Sequence, residues 1–337
     1  MKSTLTYLTS EIPGVGGVLK GTPEDFRVME ILPEVKNEGE HVSLECTREG
    51  MTTQEVLGTL TSIFSLKNKN SMGHAGLKDK HAKTTQTFSI PLGRTYSLEK
   101  VEEKLSQDFP ELKVNSLKRR EKKIRLGELL GNRFEVIVSE LPESVSKSLE
   151  KSQLIKQKIL KCGFPNYFGP QRFGDKGDNA EKGKEVFLGK KINSPWLKKF
   201  LLSAYQSELF NLWLSRRLDE GRFEEICEGD ACFKKGDDRP FVFKGESDIA
   251  EVNYTGPLFG KKMFWPSGEL QNKEEKLWED EGHSLDRLKD FPLYGGRRPG
   301  RVLVPDLKVS EKEEGLLFNM TLPAGSYATS LLREFMK

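Results

Sequence analysis

Between residues 42 and 90 the apolar pattern changes period twice, and this constrains the fold more than any other stretch of the chain. Val42, Leu44 and Cys46 alternate with Ser43, Glu45 and Thr47, the period of a strand with one buried face. Thr52 and Glu55 then stand at the spacing of a capping box, after which Val56, Leu57, Leu60, Ile63 and Phe64 recur at helical intervals. Thr87-Phe88-Ser89-Ile90 returns to strand character, and Arg27-Val28-Met29-Glu30-Ile31 and the alternating Phe134, Val136 and Val138 add two further strands. The spacing predicts a helix packed on a sheet, an α/β chain of the α+β type. The segment Gly73-His74-Ala75-Gly76-Leu77-Lys78-Asp79-Lys80-His81-Ala82-Lys83-Thr84-Thr85-Gln86 is then a loop held between regular elements.

That loop places one carboxylate, Asp79, among Lys78, Lys80, His81 and Lys83, with Gly73 and Gly76 permitting backbone angles or close approaches that a Cβ obstructs. The arrangement suits an anionic polymer that brings its sugar to Asp79. It equally suits a solvated turn whose aspartate caps the next element. A second cationic run, Lys118, Arg119, Arg120, Lys122, Lys123 and Arg125, is broken only by Glu121 and Ile124. Such a run attracts phosphates without reading bases, or forms a solvated face. His74, Asp79 and His81 match no common metal-ligand spacing, so no metal is expected.

A formal net charge of +3 argues against a histone-like binder and leaves room for a local positive surface. Apolar runs such as Leu316-Leu317-Phe318 are too short to span a bilayer, and Met1-Lys2-Ser3-Thr4 lacks the apolar core of a signal peptide. A cytoplasmic protein that does not engage membrane is expected. Cys46, Cys162, Cys227 and Cys232 are scattered, without a second pair to complement Cys227 and Cys232, and are expected as reduced thiols. Beyond the acidic, serine-rich stretch around Glu140 to Glu150 the texture turns helical. Leu201, Ala204, Tyr205, Leu209, Leu212 and Trp213 form one helical stripe suited to a core, with Arg216 and Arg217 expected in solvent. The Glu/Lys-rich stretch from Lys273 to Lys276 is expected to be exposed. After Gly295-Gly296-Arg297-Arg298-Pro299-Gly300, Leu316, Phe318, Met320 and Leu322 alternate as a strand.

The loop fills every fixed position of Ala-Gly-x-Lys-Asp-[Lys/Arg]-x-Ala-x-Thr-x-Gln and so resembles the signature of the TruD family of tRNA pseudouridine synthases. The resemblance continues through Leu19-Lys20-Gly21-Thr22-Pro23-Glu24-Asp25-Phe26, Gly131-Asn132-Arg133-Phe134, Pro165-Asn166-Tyr167-Phe168-Gly169-Pro170-Gln171-Arg172-Phe173-Gly174 and Leu322-Pro323-Ala324-Gly325-Ser326-Tyr327-Ala328-Thr329. It implies a pseudouridine-synthase catalytic domain with a mixed, largely antiparallel sheet and flanking helices, interrupted by a family-specific α/β insertion. The corresponding segments are 1–155 (catalytic, first part), 156–304 (insertion) and 305–337 (catalytic, C-terminal part).

The implied function is cofactor-independent isomerisation of uridine to pseudouridine in tRNA, with uridine 13 as the target in bacterial members. Asp79 is the implied group beside the ribose, either attacking the sugar or abstracting the C2′ proton. Neighbouring lysines favour its ionised form, and the resemblance singles out Lys20 as its ion-pair partner. The flipped uridine is expected to stack on Phe134, with Phe26, Asn132 and Tyr327 lining the pocket. Lys78, Lys80 and the run Lys118 to Arg125 are candidates for the RNA backbone. Phe26 and Phe134 could instead be core residues, Asn132 could satisfy a turn, and Tyr327, at a position where phenylalanine is common, could pack at a helix start. Arg172 could bind a phosphate or brace a carboxylate. A non-catalytic RNA-binding protein and a base-releasing hydrolase are the competing classes.

Overall fold

The structure is a computed structural model that describes residues 5–19, 21–246, 248–313 and 315–337. Its chain divides into two compact units. The sheet unit comprises Val15–Lys156 and Val304–Gly325; the helical unit comprises the N-terminal segment up to Gly14 together with Gln157–Leu303 and Ser326–Lys337.

In the sheet unit the expected alternation sets the layers. Strands β1 (Val18–Leu19), β2 (Phe26–Ile31), β3 (His41–Arg48), β4 (Gly73–His74), β5 (Lys83–Ile90), β6 (Lys113–Arg120) and β7 (Gly131–Ser139) join two late strands, Lys308–Lys312 and Gly315–Pro323. The order across the sheet is Lys308–Lys312, Gly315–Pro323, β7, β2, β5, β3, β6, with β1 on β7 and β4 on β5. Among the described residues β2 and β5 are its one parallel pair, and the other pairings are antiparallel.

Val42, Leu44 and Cys46 point inward from β3, as their period requires, against helices α1 (Thr53–Ile63) and α2 (Leu98–Asp108). The capping box closes in both directions: Glu55 N donates to Thr52 Oγ1 at 3.2 Å and Thr52 N donates to Glu55 Oε2 at 2.6 Å. Two orphan amides at the start of α1 are thereby satisfied. Val56, Leu57 and Leu60 then bury against Phe88, Ile90, Val101 and Leu105. Leu316, Phe318, Met320 and Leu322 all face inward from the last strand, which pairs residue for residue with β7 from Gly315↔Ser139 to Pro323↔Gly131.

Helix α3 (Val145–Cys162) carries the chain into the helical unit, so the unit boundary falls within a helix. There α4 (Asn179–Phe187), the long α5 (Pro195–Asp219), α6 (Glu269–Asp280) and α7 (Ala328–Met336) accompany short strands β8 (Phe164–Pro165), β9 (Ala231–Lys234), β10 (Asp237–Val242), β11 (Val252–Leu258), β12 (Gly296–Pro299) and β13 (Arg301–Val302). β10, β9, β11 and β12 form one sheet in that order, and β13 pairs β8. Leu201, Ala204, Tyr205, Leu209 and Trp213 on α5 are core, as their stripe predicts.

Arg217, expected in solvent, is instead buried. Its guanidinium makes two 2.8 Å bonds to Asp230 and lies 3.9 Å from the Tyr254 ring centroid. Glu274, within a stretch expected to be exposed, is likewise buried and grips Arg297 through two 2.7 Å bonds. In both cases an opposite charge with complementary geometry permits burial. The segmentation read from the sequence differs from the compact units at the ends. Leu5 and Leu8 pack against the α5 core, Thr9 donates from its amide and hydroxyl to Glu334 Oε2 at 3.1 and 2.9 Å, and Ser330 Oγ donates to the Tyr167 carbonyl at 2.9 Å. These contacts group the N-terminal segment and α7 with residues 157–303.

Candidate active site

The loop between β4 and β5 is anchored on both sides of Asp79. Gly127 N donates to the Ala75 carbonyl at 2.8 Å, Gln86 Nε2 donates to the Gly76 carbonyl at 2.7 Å, Lys78 N donates to Thr53 Oγ1 at 3.0 Å, and Gly50 N donates to the Lys80 carbonyl at 3.1 Å. His74 Nδ1 also lies 2.9 Å from the Gly76 carbonyl oxygen. Thr53, in the first turn of α1, is the hub: its hydroxyl also accepts from Arg48 Nη2 and donates to Gln86 Oε1, each at 3.1 Å. The loop is therefore fixed by the elements that the sequence pattern places around it.

Asp79 stands on the exposed rim of this loop, between the anchored Lys78 and Lys80, and its Oδ1 accepts from His81 N at 3.0 Å. This bond spans two residues, the geometry of an Asx turn, and it orients the carboxylate while leaving the side chain at the surface. Lys20 lies outside the described residues.

Lys78 turns inward. Its ammonium is 2.5 Å from Asn132 Oδ1 and 3.3 Å from Glu30 Oε1, and the Lys78 and Glu30 side chains are 8% and 0% exposed. Burial lowers the Lys78 ammonium below its ordinary range, and Glu30 opposes that shift. Glu30 Oε2 in turn accepts from Thr87 N at 3.1 Å. The register explains the meeting: Glu30 is opposite Asn132 and Val28 opposite Phe134, so Phe26, Val28 and Glu30 share a sheet face with Asn132 and Phe134. On that face the rings of Phe26 and Phe134 meet edge to face, 6.1 Å apart, and both are buried. Asn132, Lys78 and Glu30 thus form one polar cluster next to an aromatic pair. Sequence reasoning did not single out Glu30; its signal was a carboxylate on the inward face of a predicted strand.

Gly73 meets the expectation of close approach, since a Cβ there would collide with the Ile124 carbonyl oxygen and the Ser89 hydroxyl. Gly76 does not: its backbone lies outside the left-handed region and a Cβ would project into open space.

The cations expected at the RNA backbone divide by environment. Lys78 and Arg120 are buried, the latter with its guanidinium on Glu128 and the Lys122 carbonyl, and Arg119 donates to the carbonyls of Gly93 and Tyr96. These three are spent on the fold. Lys80, Lys118, Lys122, Lys123 and Arg125 are exposed. Lys122, Lys123 and Arg125 line an open depression of about 620 Å³ with Val35, Lys36 and Leu126. A second depression of about 330 Å³ shares Lys123 and Arg125 and reaches Gly73 and His74 at the foot of the loop. The basic segment therefore adjoins the loop in space.

Tyr327 belongs to the helical unit, where it immediately precedes α7 with extended backbone, and its ring centroid is 6.0 Å from that of Phe168. Among the described residues no group of three or more His, Cys, Asp or Glu side chains could hold a metal ion, and no helix is long and apolar enough to cross a membrane. The four cysteines are free thiols.

Comparison with known proteins places this geometry in a family. The family model described as tRNA pseudouridine synthase D (TruD) matches residues 3–193 and 190–335. A tRNA pseudouridine synthase D from Thermus thermophilus is 40% identical over 342 residues, covering 98% of this chain and 92% of the relative. One from an Anaeromyxobacter species is 36% identical over 352 residues, covering 98% and 95%. The crystal structure of a Methanosarcina mazei protein assigned as tRNA pseudouridine synthase D superposes with a TM-score of 0.80 at 23% identity, covering 98% of this chain and 95% of that one, a likeness of fold. With its signature loop intact and the family model matched along nearly its whole length, the chain belongs to the TruD family, that of tRNA pseudouridine synthase D.

Proposed function

We propose that this protein is a cofactor-independent, cytoplasmic tRNA pseudouridine synthase acting on uridine 13, with the Asp79 carboxylate as the group that engages the ribose. The observation that carries the reading is the rigidly anchored loop, which presents Asp79 at its rim beside the cluster of Lys78, Asn132 and Glu30. In the reaction the N1 to C1′ bond breaks, the detached uracil turns, and C5 bonds to C1′; C5 loses a proton and N1 gains one, so no water or redox partner is consumed. Asp79 contributes either as nucleophile at C1′ or as base at C2′. Lys20 is its proposed ion-pair partner. Phe134, with Phe26 against its edge, supplies an aromatic face for the extruded base, Asn132 a hydrogen bond, and Tyr327 a second ring. Lysine 78 holds Asn132 in place, so its role is positioning. The exposed Lys80, Lys118, Lys122, Lys123 and Arg125 supply contacts to phosphate.

The test is incubation of purified protein with unmodified tRNA transcripts, followed by chemical labelling of pseudouridine read at nucleotide resolution. Product at position 13 that disappears in Asp79→Ala, while most tRNA affinity remains, is the expected result. Undiminished product in that variant rejects the catalytic assignment, and release of free uracil identifies a hydrolase instead.

A further inference from the structure

In the helical unit, aromatic rings and guanidinium groups alternate in a continuous strip whose last ring is Tyr327. Trp196, 71% exposed at the start of α5, lies flat on Phe200 with ring centroids 5.3 Å apart and planes 7° from parallel. The Arg172 guanidinium follows at 6.0 Å from the Phe200 centroid and 5.8 Å from that of Phe168. The Arg298 guanidinium covers Phe168 at 4.0 Å, and Tyr327 closes the strip. A large exposed indole stacked on a second ring is costly to leave in water without a use, and the stacking holds it in one orientation.

The charges in the strip are uncompensated. Arg172 donates through Nε to Ser207 Oγ at 3.1 Å, and among the described residues neither it nor Arg298 has a carboxylate within ion-pair distance. Arg298 is committed to the Asn166 carbonyl and amide oxygens, and burial, with Arg172 adding repulsion, pushes its guanidinium down to about 10. Arg172 is half-buried, and its terminal nitrogens meet no acceptor among the described residues. The sequence left Arg172 open between bracing a carboxylate and binding a phosphate; the first alternative has no partner here. Lys199, one turn beyond Trp196, adds an exposed cation on the same helix face.

We propose that this strip binds an unpaired stretch of the RNA substrate, a base stacking on Trp196 and a backbone phosphate held by Arg172. The chemistry is that of single-strand binding surfaces, in which π faces take bases without regard to sequence and cations track the backbone. The proposal rests on the tRNA-modifying function proposed above and adds a second contact region to it.

Labelled, unmodified tRNA transcript titrated with full-length protein tests it directly. Trp196→Ala, a change at an exposed side chain, should weaken tRNA binding roughly five- to a hundred-fold. Trp196 emission should be quenched as tRNA saturates the wild type, and the quench should be absent in Trp196→Phe. Arg172→Gln should reduce the slope of log affinity against log salt by about 0.7 to 0.9. Unchanged affinity in Trp196→Ala together with unquenched emission overturns the strip, and an unchanged salt slope in Arg172→Gln overturns the phosphate contact. Wild type that forms pseudouridine while Trp196→Ala binds normally rejects the strip alone. Wild type that binds with the quench but forms no pseudouridine rejects the proposed reaction and leaves the strip standing.

Discussion

Replacing Lys78 by methionine tests whether the cluster beneath the signature loop is a structural keystone. The substitution keeps the length of the side chain but removes the ammonium that Glu30 and Asn132 share at 3.3 and 2.5 Å. Glu30, with no exposed side-chain surface, then loses its ion-pair partner and keeps the bond from Thr87 N and the weaker attraction of the Arg48 guanidinium. Breaking one side of a buried ion pair costs about 3–5 kcal/mol, and the unmet Asn132 oxygen adds about 1–3. Relief of the burial penalty that lowers the Lys78 ammonium offsets part of this, leaving a loss of about 3–5 kcal/mol. With a urea m-value of about 2–3 kcal/mol/M, the midpoint falls by on the order of 1–2 M. All four tryptophans, Trp196, Trp213, Trp265 and Trp278, lie in the helical unit, so the transition should be followed by far-UV circular dichroism and localised by hydrogen exchange in β2 and β5. Glu30→Gln combined with Lys78→Met should recover at least about 1.5 kcal/mol relative to additivity, because it removes the stranded charge. A loss below about 1 kcal/mol for the single variant, or strict additivity with Glu30→Gln, refutes this account of the cluster.

Gly73→Ala should destabilise by about 1–3 kcal/mol through collision with the Ile124 carbonyl, whereas Gly76→Ala should stay within about 0.5 kcal/mol; thermal unfolding of the two variants compares them directly. Burial pushes the thiols of Cys46 and Cys232 up to about 12 and that of Cys162 up to about 11, so in native protein at pH 8 a thiol reagent should titrate the half-buried Cys227 quickly and the others only after unfolding. Three or four fast thiols would contradict that burial. Burial also raises the Glu334 carboxyl against two hydrogen bonds from Thr9. Folded protein then holds this proton more tightly than unfolded, so its contribution is present below the ordinary carboxyl range and is lost as pH rises through the raised value. Relative to Glu334→Gln, wild type should lose melting temperature across that window, and parallel curves would discount the effect.

What could be read from the sequence was local. The β3 alternation, the Thr52 and Glu55 box and the α5 stripe each depend on neighbours within a turn or a strand, and each is present. Charged residues with distant partners could not be read in that way. Arg217 and Asp230 are thirteen positions apart, Glu274 and Arg297 twenty-three, and Lys78 and Asn132 fifty-four, so nothing beside Arg217, Glu274 or Lys78 announces burial. Lys78 is the instructive case: its cationic neighbours made it look like part of a phosphate-facing surface, while the register of β2 against β7 turns it toward Glu30. The loop itself was legible because its glycines, alanines, threonines and glutamine form a recognisable string, and Gln86 shows why one of them is needed, as its amide holds Gly76. The Trp196 strip went unread because its rings and guanidinium groups come from four separated segments of the chain.

The pairing of Gly315–Pro323 with β7 has a consequence for biosynthesis. During translation β7 is complete more than 170 residues before its neighbour is made, and until then one edge of an apolar strand has no partner. A ribosome stalled between the two strands would hold out a nascent chain with an adhesive flank, and chaperone capture or aggregation should be most acute in that interval.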